Sequence, residues 1–130
     1  MENEKLIKLF FNSLKKYLNK EKLYLIEIKM NKVFELDNMN RQDNEYNRLT
    51  YADYFAIKWE KHKEIDKLDE QLEEINIILR YITEIDIKLI DDLILENMYK
   101  RIITDYTNYE FPQEIKNTFL YKKVLTDLTL

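Results

Sequence analysis

The feature that most constrains the fold is a regular apolar series in the middle of the chain, between Tyr51 and Ile82. Its residues follow one another at steps of three or four, which keeps them on one side of an α-helix for about eight turns. They are Phe55, Trp59, His62, Ile65, Leu68, Leu72, Ile75, Leu79 and Ile82. No glycine or proline interrupts the stretch. The series predicts one long helix at about residues 50–82.

The spacing within this series changes once. Three successive steps of three separate Trp59 from Leu68, a shift that overwinds a coiled coil locally. The part with coiled-coil-like spacing is therefore Ile65–Ile82, which is short for an independent coiled coil. A helix over residues 50–82 measures about 48 Å, whereas the radius of gyration of a domain of this size is about 14 Å. We expect it to pack in an intramolecular bundle, with dimerisation through this region as the alternative.

The composition favours helices in the rest of the chain as well. The 130 residues include no glycine and one proline, although tight hairpins, left-handed helix caps and phosphate-binding loops all depend on glycine. Hydrophobic residues make up 45% of the chain and charged residues 35%, which is typical of a globular rather than a disordered protein. We predict a single domain over residues 1–130, with an all-α fold that forms a small helical bundle.

The N-terminal third permits more than one prediction. Residues 3–19 are predicted as an amphipathic helix, followed by a turn at residues 19–22. Residues 23–36 fit both a helical period and the alternation of a strand, so a helix is slightly favoured and a short β-hairpin is the alternative. Residues 37–49 are rich in asparagine and aspartate without periodicity, and are predicted as a loop.

Capping signatures delimit the helices that follow. Thr50 and Thr83 are each followed by an aspartate three residues later, which is typical of a helix start. An antiparallel neighbour of the long central helix is therefore predicted at about residues 84–109. Pro112 suits the first position of a helix, and a last helix is predicted at about residues 112–128.

Several functional classes lack the residues that they need. Cysteine is absent, which excludes disulfides, thiolate metal sites and cysteine nucleophiles. His62 is the only histidine, so neither a zinc site nor a Ser-His-Asp triad has a basis. Without glycine there is no P-loop, dinucleotide fingerprint or nucleophile elbow. We predict a protein that is not an enzyme and that needs no cofactor or metal.

The net charge of −4 conceals a local excess of acidic residues. Residues 64–96 carry eleven acidic and three basic side chains, whereas the rest of the chain is slightly basic. An acidic face on the central helix could bind another protein with a basic surface. The simpler interpretation is a solvated face, partly neutralised by nearby lysines. The candidate contact residues are Asp66, Asp69, Glu70, Glu73 and Glu74.

A second hypothesis is a helical nucleic-acid-associated protein, such as a small subunit of a nucleoprotein complex or a transcription regulator. Aromatic and basic residues share one side of the first part of the long helix, a layout that can stack bases and contact phosphates. These residues are Tyr51, Tyr54, Lys58 and Lys61. Packing in a core or a protein interface explains the same residues, and the acidic net charge disfavours nucleic acid.

The expected setting follows from residue usage. Isoleucine, lysine, asparagine and tyrosine abound while alanine occurs twice, which is typical of AT-rich genomes. By analogy, we expect an accessory or inhibitor protein of a phage or mobile element, of the anti-defence type. Neither a secretory signal nor an apolar stretch of about 18 residues is found. We therefore expect a cytoplasmic protein, in the host cell if phage-encoded, with no membrane partner; a homodimer is a third alternative.

Overall fold

A computed structural model of the chain describes residues 2–41 and 51–130. Within these ranges the fold is all-α and contains no strand, which confirms the predicted fold class. None of the helices in the described part of the chain has both the length and the apolar composition of a membrane span. The elements are α1 (Glu2–Arg41), α2 (Tyr51–Glu84), a 3₁₀ turn (Ile87–Leu89), α3 (Asp92–Asp105), α4 (Gln113–Lys116) and α5 (Phe119–Thr129).

Helix α1 is continuous where two elements were predicted. The prediction of a turn at residues 19–22 is wrong, because these residues include no glycine or proline and each is compatible with a helix. Residues 23–36 are helical, so the helix prediction is confirmed there and the β-hairpin alternative is wrong. Buried Leu18 and Leu25 lie seven residues apart on either side of the predicted turn, so the apolar side of the helix continues through it.

The loop predicted at residues 37–49 is helical at its start, because α1 continues to Arg41. The rest of that loop, and Thr50 with its predicted cap, lie outside the described residues. The prediction of a long central helix at about residues 50–82 is confirmed, since α2 covers Tyr51–Glu84.

The end of α2 differs from the predicted capping pattern. Thr83 does not begin a new helix: its hydroxyl donates a hydrogen bond to the Leu79 carbonyl at 2.6 Å, within α2. Asp86 caps the 3₁₀ turn instead. Asp91 then caps α3, because its carboxylate accepts a hydrogen bond from the backbone N–H of Ile94 at 2.8 Å.

The C-terminal helices are shorter than predicted. The helix expected at residues 84–109 is reduced to α3, and the helix expected at residues 112–128 is divided into α4 and α5. Thr118 separates these two, because its hydroxyl accepts a hydrogen bond from the backbone N–H of Tyr121 at 3.3 Å and so starts α5. Pro112 directly precedes α4, one residue before its predicted place.

The contacts of the chain group into two units. The first consists of residues 1–18 and 79–130, and the second of residues 19–78. Each of the two longest helices contributes to both units. The single domain remains a prediction.

The first unit has an aromatic core. Phe10 is fully buried and stacks on Phe111, with the ring centroids 5.6 Å apart. Tyr99 meets the same Phe111 ring at a right angle, with the centroids 5.5 Å apart. Tyr109 donates a hydrogen bond from its hydroxyl to the Ser13 hydroxyl at 2.9 Å. These contacts attach the start of α1 to α3 and to the segment before α4.

The second unit pairs the later part of α1 with the earlier part of α2. Among the described residues, three ion pairs join the helices. The residue numbers rise along α1 as they fall along α2, so the helices are antiparallel. The pairs are Lys29 with Asp69 at 2.5 Å, Lys32 with Glu64 at 2.6 Å and Glu35 with Lys61 at 2.7 Å. The long helix is therefore paired within the chain, and its partner in this unit is α1.

Candidate interaction surface on the long helix

The apolar series of α2 divides between two sides of the helix. Leu68 and Ile75 are buried, whereas Trp59 is 63% exposed and Phe55 is 46% exposed. Each step of three falls about 60° short of a full turn, so three of them move the series halfway round the helix. The prediction of one continuous apolar stripe from residue 55 to residue 82 is therefore wrong.

The side of α2 that carries Trp59 forms a continuous surface, which we call the outer face of α2. Its residues follow at steps of three or four and all of them are exposed. Aromatic side chains occupy the first two turns of this face, and acidic side chains occupy its middle. An isoleucine follows the last acidic residue. The residues are Phe55, Trp59, His62, Asp66, Glu70, Glu73 and Ile77.

The five predicted acidic residues do not act as one group. Asp66, Glu70 and Glu73 are exposed on the outer face of α2, and none of them forms an ion pair with a residue in the described ranges. Asp69 instead turns towards α1 and pairs with Lys29. Glu74 is half-buried and lies off this face. The acidic part of the candidate surface therefore has three members.

The residues of the nucleic-acid hypothesis largely serve the contact between α1 and α2. Tyr54 donates a hydrogen bond from its hydroxyl to the Met39 carbonyl at 3.4 Å. The Lys61 ammonium hydrogen-bonds the Glu35 carboxylate and, by this bond and its charge, lowers the pKa of Glu35.

The two other residues of that hypothesis add little to a nucleic-acid surface. Lys58 is half-buried, and Tyr51 begins α2 without a described side chain. The described part of the chain therefore does not present Tyr54, Lys58 and Lys61 together as one free basic and aromatic face.

Sequence reasoning missed the exposure of Phe55 and Trp59. The signal that could have revealed it is the run of three-residue steps, read as a rotation of the apolar side rather than as a local irregularity. The Lys63 ammonium lies 5.6 Å from the centroid of the Trp59 ring, a cation–π distance. Because Lys63 is itself on the surface, Trp59 keeps its exposure to solvent.

The first unit contains a mainly apolar cleft. The cleft has a volume of about 80 Å³ and is lined mostly by apolar side chains, including Leu6, Ile90 and Leu95. Among the described residues, no buried polar side-chain atom lacks a hydrogen-bond partner, and no three histidine or acidic side chains could hold a metal ion. The outer face of α2 is therefore the stronger candidate site.

The chain matches no family model, no curated protein and no solved structure.

Proposed function

We propose that the protein is a non-catalytic protein-binding module whose contact surface is the outer face of α2. The observation that carries this proposal is the exposure of Trp59, in a helix whose opposite side is buried. Tryptophan is enriched among the residues that dominate binding energy at protein interfaces, and an exposed apolar patch rimmed by polar residues is typical of an interaction site. Phe55 extends the apolar area by one helical turn.

The acidic middle of the face indicates the chemistry of the partner. Asp66 lies two turns from Trp59, and Glu70 and Glu73 follow it on the same side. Like charges at this spacing destabilise a helix by about 0.2–0.5 kcal/mol per pair. Since these carboxylates form no ion pair with described residues, they favour a partner that supplies basic side chains beside an apolar pocket.

This mode of binding suits an accessory or inhibitor protein of a phage or mobile element, acting in the cytoplasm. Such a protein acts by occupying a surface of its target, and a basic surface that normally receives nucleic acid is one such target. This finer part of the proposal is supported by residue usage and by analogy rather than by a contact.

Affinity capture from the native host or from infected cells tests the proposal. The bait is the full chain, compared with Trp59→Ala and with the triple variant Asp66→Lys, Glu70→Lys, Glu73→Lys. We expect one dominant protein partner, with an affinity lowered by about 30-fold in Trp59→Ala, as for a hot-spot residue. We expect the triple variant to lose the partner as well, because its three lysines would face the basic side chains of the partner.

The matched control is Leu128→Ala, which removes an exposed leucine from α5 and should keep the partner. A partner that binds both outer-face variants as tightly as the wild type would overturn the proposal. Capture in the presence and absence of nuclease covers the nucleic-acid alternative. Association that disappears with nuclease and weakens steeply with salt would favour that alternative.

A further inference from the structure

The solvent side of the first part of α1 carries a series of basic and amide side chains. Lys5, Lys8, Asn12 and Lys16 follow at steps of three, four and four, so they share one side of the helix. All four are exposed, and we call them the lysine stripe. The stripe extends over about 16 Å, because its ends are 11 residues apart on a helix that rises about 1.5 Å per residue.

The apolar side of the same segment is used inside the first unit. Ile7, Phe10 and Leu14 are buried there. Leu9 is the only apolar side chain of residues 5–16 that is exposed, and its exposed fraction is 36%. A helix that lies in a membrane interface needs a broad exposed apolar face, so the stripe does not have the composition of one.

The positive charge of the stripe is not neutralised by its neighbours. Residues 5–18 contain four lysines and no acidic residue. Glu4 lies four residues before Lys8 and is half-buried, but within the described ranges no lysine of the stripe forms an ion pair with it or with any other residue. The net charge of −4 acts weakly here, because charges further away than a Debye length of about 8 Å are largely screened at physiological salt.

A shallow depression adjoins the last turn of the stripe. It is lined by Leu9, Asn12, Ser13, Lys16 and Pro112. The Ser13 hydroxyl oxygen accepts the hydrogen bond from Tyr109, so its own proton is left to donate to another acceptor. Glu110, two residues before Pro112, pairs with Lys116 rather than with Lys16. The amide, hydroxyl and ammonium groups of the depression are all donors that contact phosphate oxygens in complexes with nucleic acids.

We propose that the lysine stripe and this depression bind the phosphate backbone of a double-stranded nucleic acid, independently of its base sequence. Lys16, with Asn12 and Ser13, holds one phosphate, and Lys8 and Lys5 hold phosphates further along the stripe. Contacts to phosphates position a protein on a duplex but carry no sequence information. The stripe has no exposed aromatic ring on which the bases of a single strand could stack, which favours a duplex.

Phosphate binding on α1 is independent of the proposed function, because the lysine stripe and the outer face of α2 share no residue and carry opposite charges. Trp59→Ala should therefore bind a duplex as tightly as the wild type does. A protein partner that stays captured after nuclease treatment should also bind a variant without the stripe lysines. Failure of either proposal can thus be told from failure of the other.

Fluorescence anisotropy of a labelled duplex, titrated with the full chain, tests the proposal. For a duplex of about 20 base pairs we expect a dissociation constant on the order of 10 µM at about 50 mM salt. The logarithm of the association constant should fall with the logarithm of the salt concentration at a slope of about −2.7, since each of three neutralised phosphates contributes about −0.9. A second duplex of unrelated sequence should bind equally well.

Replacement of the stripe lysines tests the site of binding. The stripe variant is Lys5→Gln, Lys8→Gln, Lys16→Gln, and its matched control is Lys67→Gln, Lys88→Gln, Lys122→Gln. The control removes three exposed lysines that form no ion pair with described residues, so both variants have the same net charge. We expect the dissociation constant to rise by at least about 10-fold in the stripe variant and by no more than about 2-fold in the control. Circular dichroism checks that each variant keeps its helices.

A charge placed in the depression tests its part in binding. Asn12→Asp should raise the dissociation constant by about 5-fold, because the new carboxylate repels the phosphate. Asn97→Asp adds the same charge to an exposed asparagine of α3 and should change the constant by less than about 2-fold. The single variant Lys16→Gln should also reduce the salt slope by about 1.

Three results would overturn the proposal. The first is the absence of binding up to about 200 µM protein, which exceeds the expected dissociation constant by about 20-fold. The second is an equal loss in the stripe variant and its matched control, which would show that only the net charge matters. The third is binding to vesicles rich in anionic lipid without binding to the duplex, which would assign the stripe to a lipid surface instead.

Discussion

Trp59 and Leu68 belong to the same apolar series of α2 but lie on opposite sides of the helix: Leu68 is 9% exposed and Trp59 is 63% exposed. Nine residues separate them, which is about two and a half turns. The side of the helix that carries Trp59 is therefore exposed to solvent, while the side that contains Leu68 packs inside the chain.

The opposite placement of these two residues predicts different costs of truncation. Leu68→Ala should lower the free energy of unfolding by about 2–3 kcal/mol, because it leaves a cavity among buried side chains. Trp59→Ala should change it by no more than about 0.5 kcal/mol, although it removes the larger side chain. Urea denaturation measures both values. A loss in Trp59→Ala equal to that in Leu68→Ala would show that Trp59 is packed in the core.

The ion pair between Glu35 and Lys61 predicts a charge-dependent stability. Lys61→Glu should lower the free energy of unfolding by about 0.5 kcal/mol at low salt, a small effect because exposed ion pairs are screened by solvent. The double variant Glu35→Lys, Lys61→Glu should recover most of the loss, and the nearby Lys32 opposes full recovery. Thermal unfolding at 0.05 M and 1 M salt tests this. If the stability difference between Lys61→Glu and the wild type persisted at 1 M salt, it would contradict an electrostatic origin.

The continuity of α1 predicts the sign of two substitutions at Asn19. Asn19 is exposed within a helix, so Asn19→Ala should raise the free energy of unfolding by about 0.5 kcal/mol. Asn19→Pro should lower it by about 3 kcal/mol, because proline removes a backbone hydrogen bond and clashes with the preceding turn. Chemical denaturation gives both values. If residues 19–22 formed a turn, Asn19→Ala would lower the free energy of unfolding, and Asn19→Pro would leave it nearly unchanged.

The capping of α3 predicts a contrast between Asp91 and Thr83. Asp91→Ala should cost about 1 kcal/mol of unfolding free energy, because the backbone N–H of Ile94 loses its acceptor. Thr83→Ala should cost less than about 0.5 kcal/mol, because its hydroxyl only adds a second donor to a carbonyl near the end of α2. Urea denaturation of the pair compares them directly. A larger loss in Thr83→Ala than in Asp91→Ala would indicate that Thr83, rather than Asp91, begins the helix.

Burial of Tyr99 predicts a loss of stability in alkali. Desolvation raises the pKa of Tyr99 well above its ordinary value, so the folded chain keeps a proton that the unfolded chain releases above about pH 10. The contribution of Tyr99 to stability is therefore constant below pH 10, and above it this contribution to the free energy of unfolding should fall by about 1.4 kcal/mol per pH unit. Tyr99→Phe should remove this contribution. Tyr24→Phe, at an exposed tyrosine, is the control and should leave the slope unchanged.

The candidate surface was predicted only in part. The acidic residues on the outer face of α2 follow from composition and helical spacing, and Asp66, Glu70 and Glu73 lie where that spacing places them. Asp69 is exposed as well, but it differs from them because it pairs with Lys29 on α1. Exposure of Trp59 was missed because apolar periodicity predicts which residues share a side of a helix but not which side finds a partner.

The sequence by itself determined the all-α class of the fold, because helix propensity, apolar spacing and the lack of glycine are local properties that all favour helices. Only the tertiary structure decided that α1 is a partner of α2. This outcome depends on contacts between residues more than 25 positions apart, such as Lys61 with Glu35. Which apolar side is buried and which stays exposed is likewise a property of packing, since both sides of α2 carry residues that could enter a core.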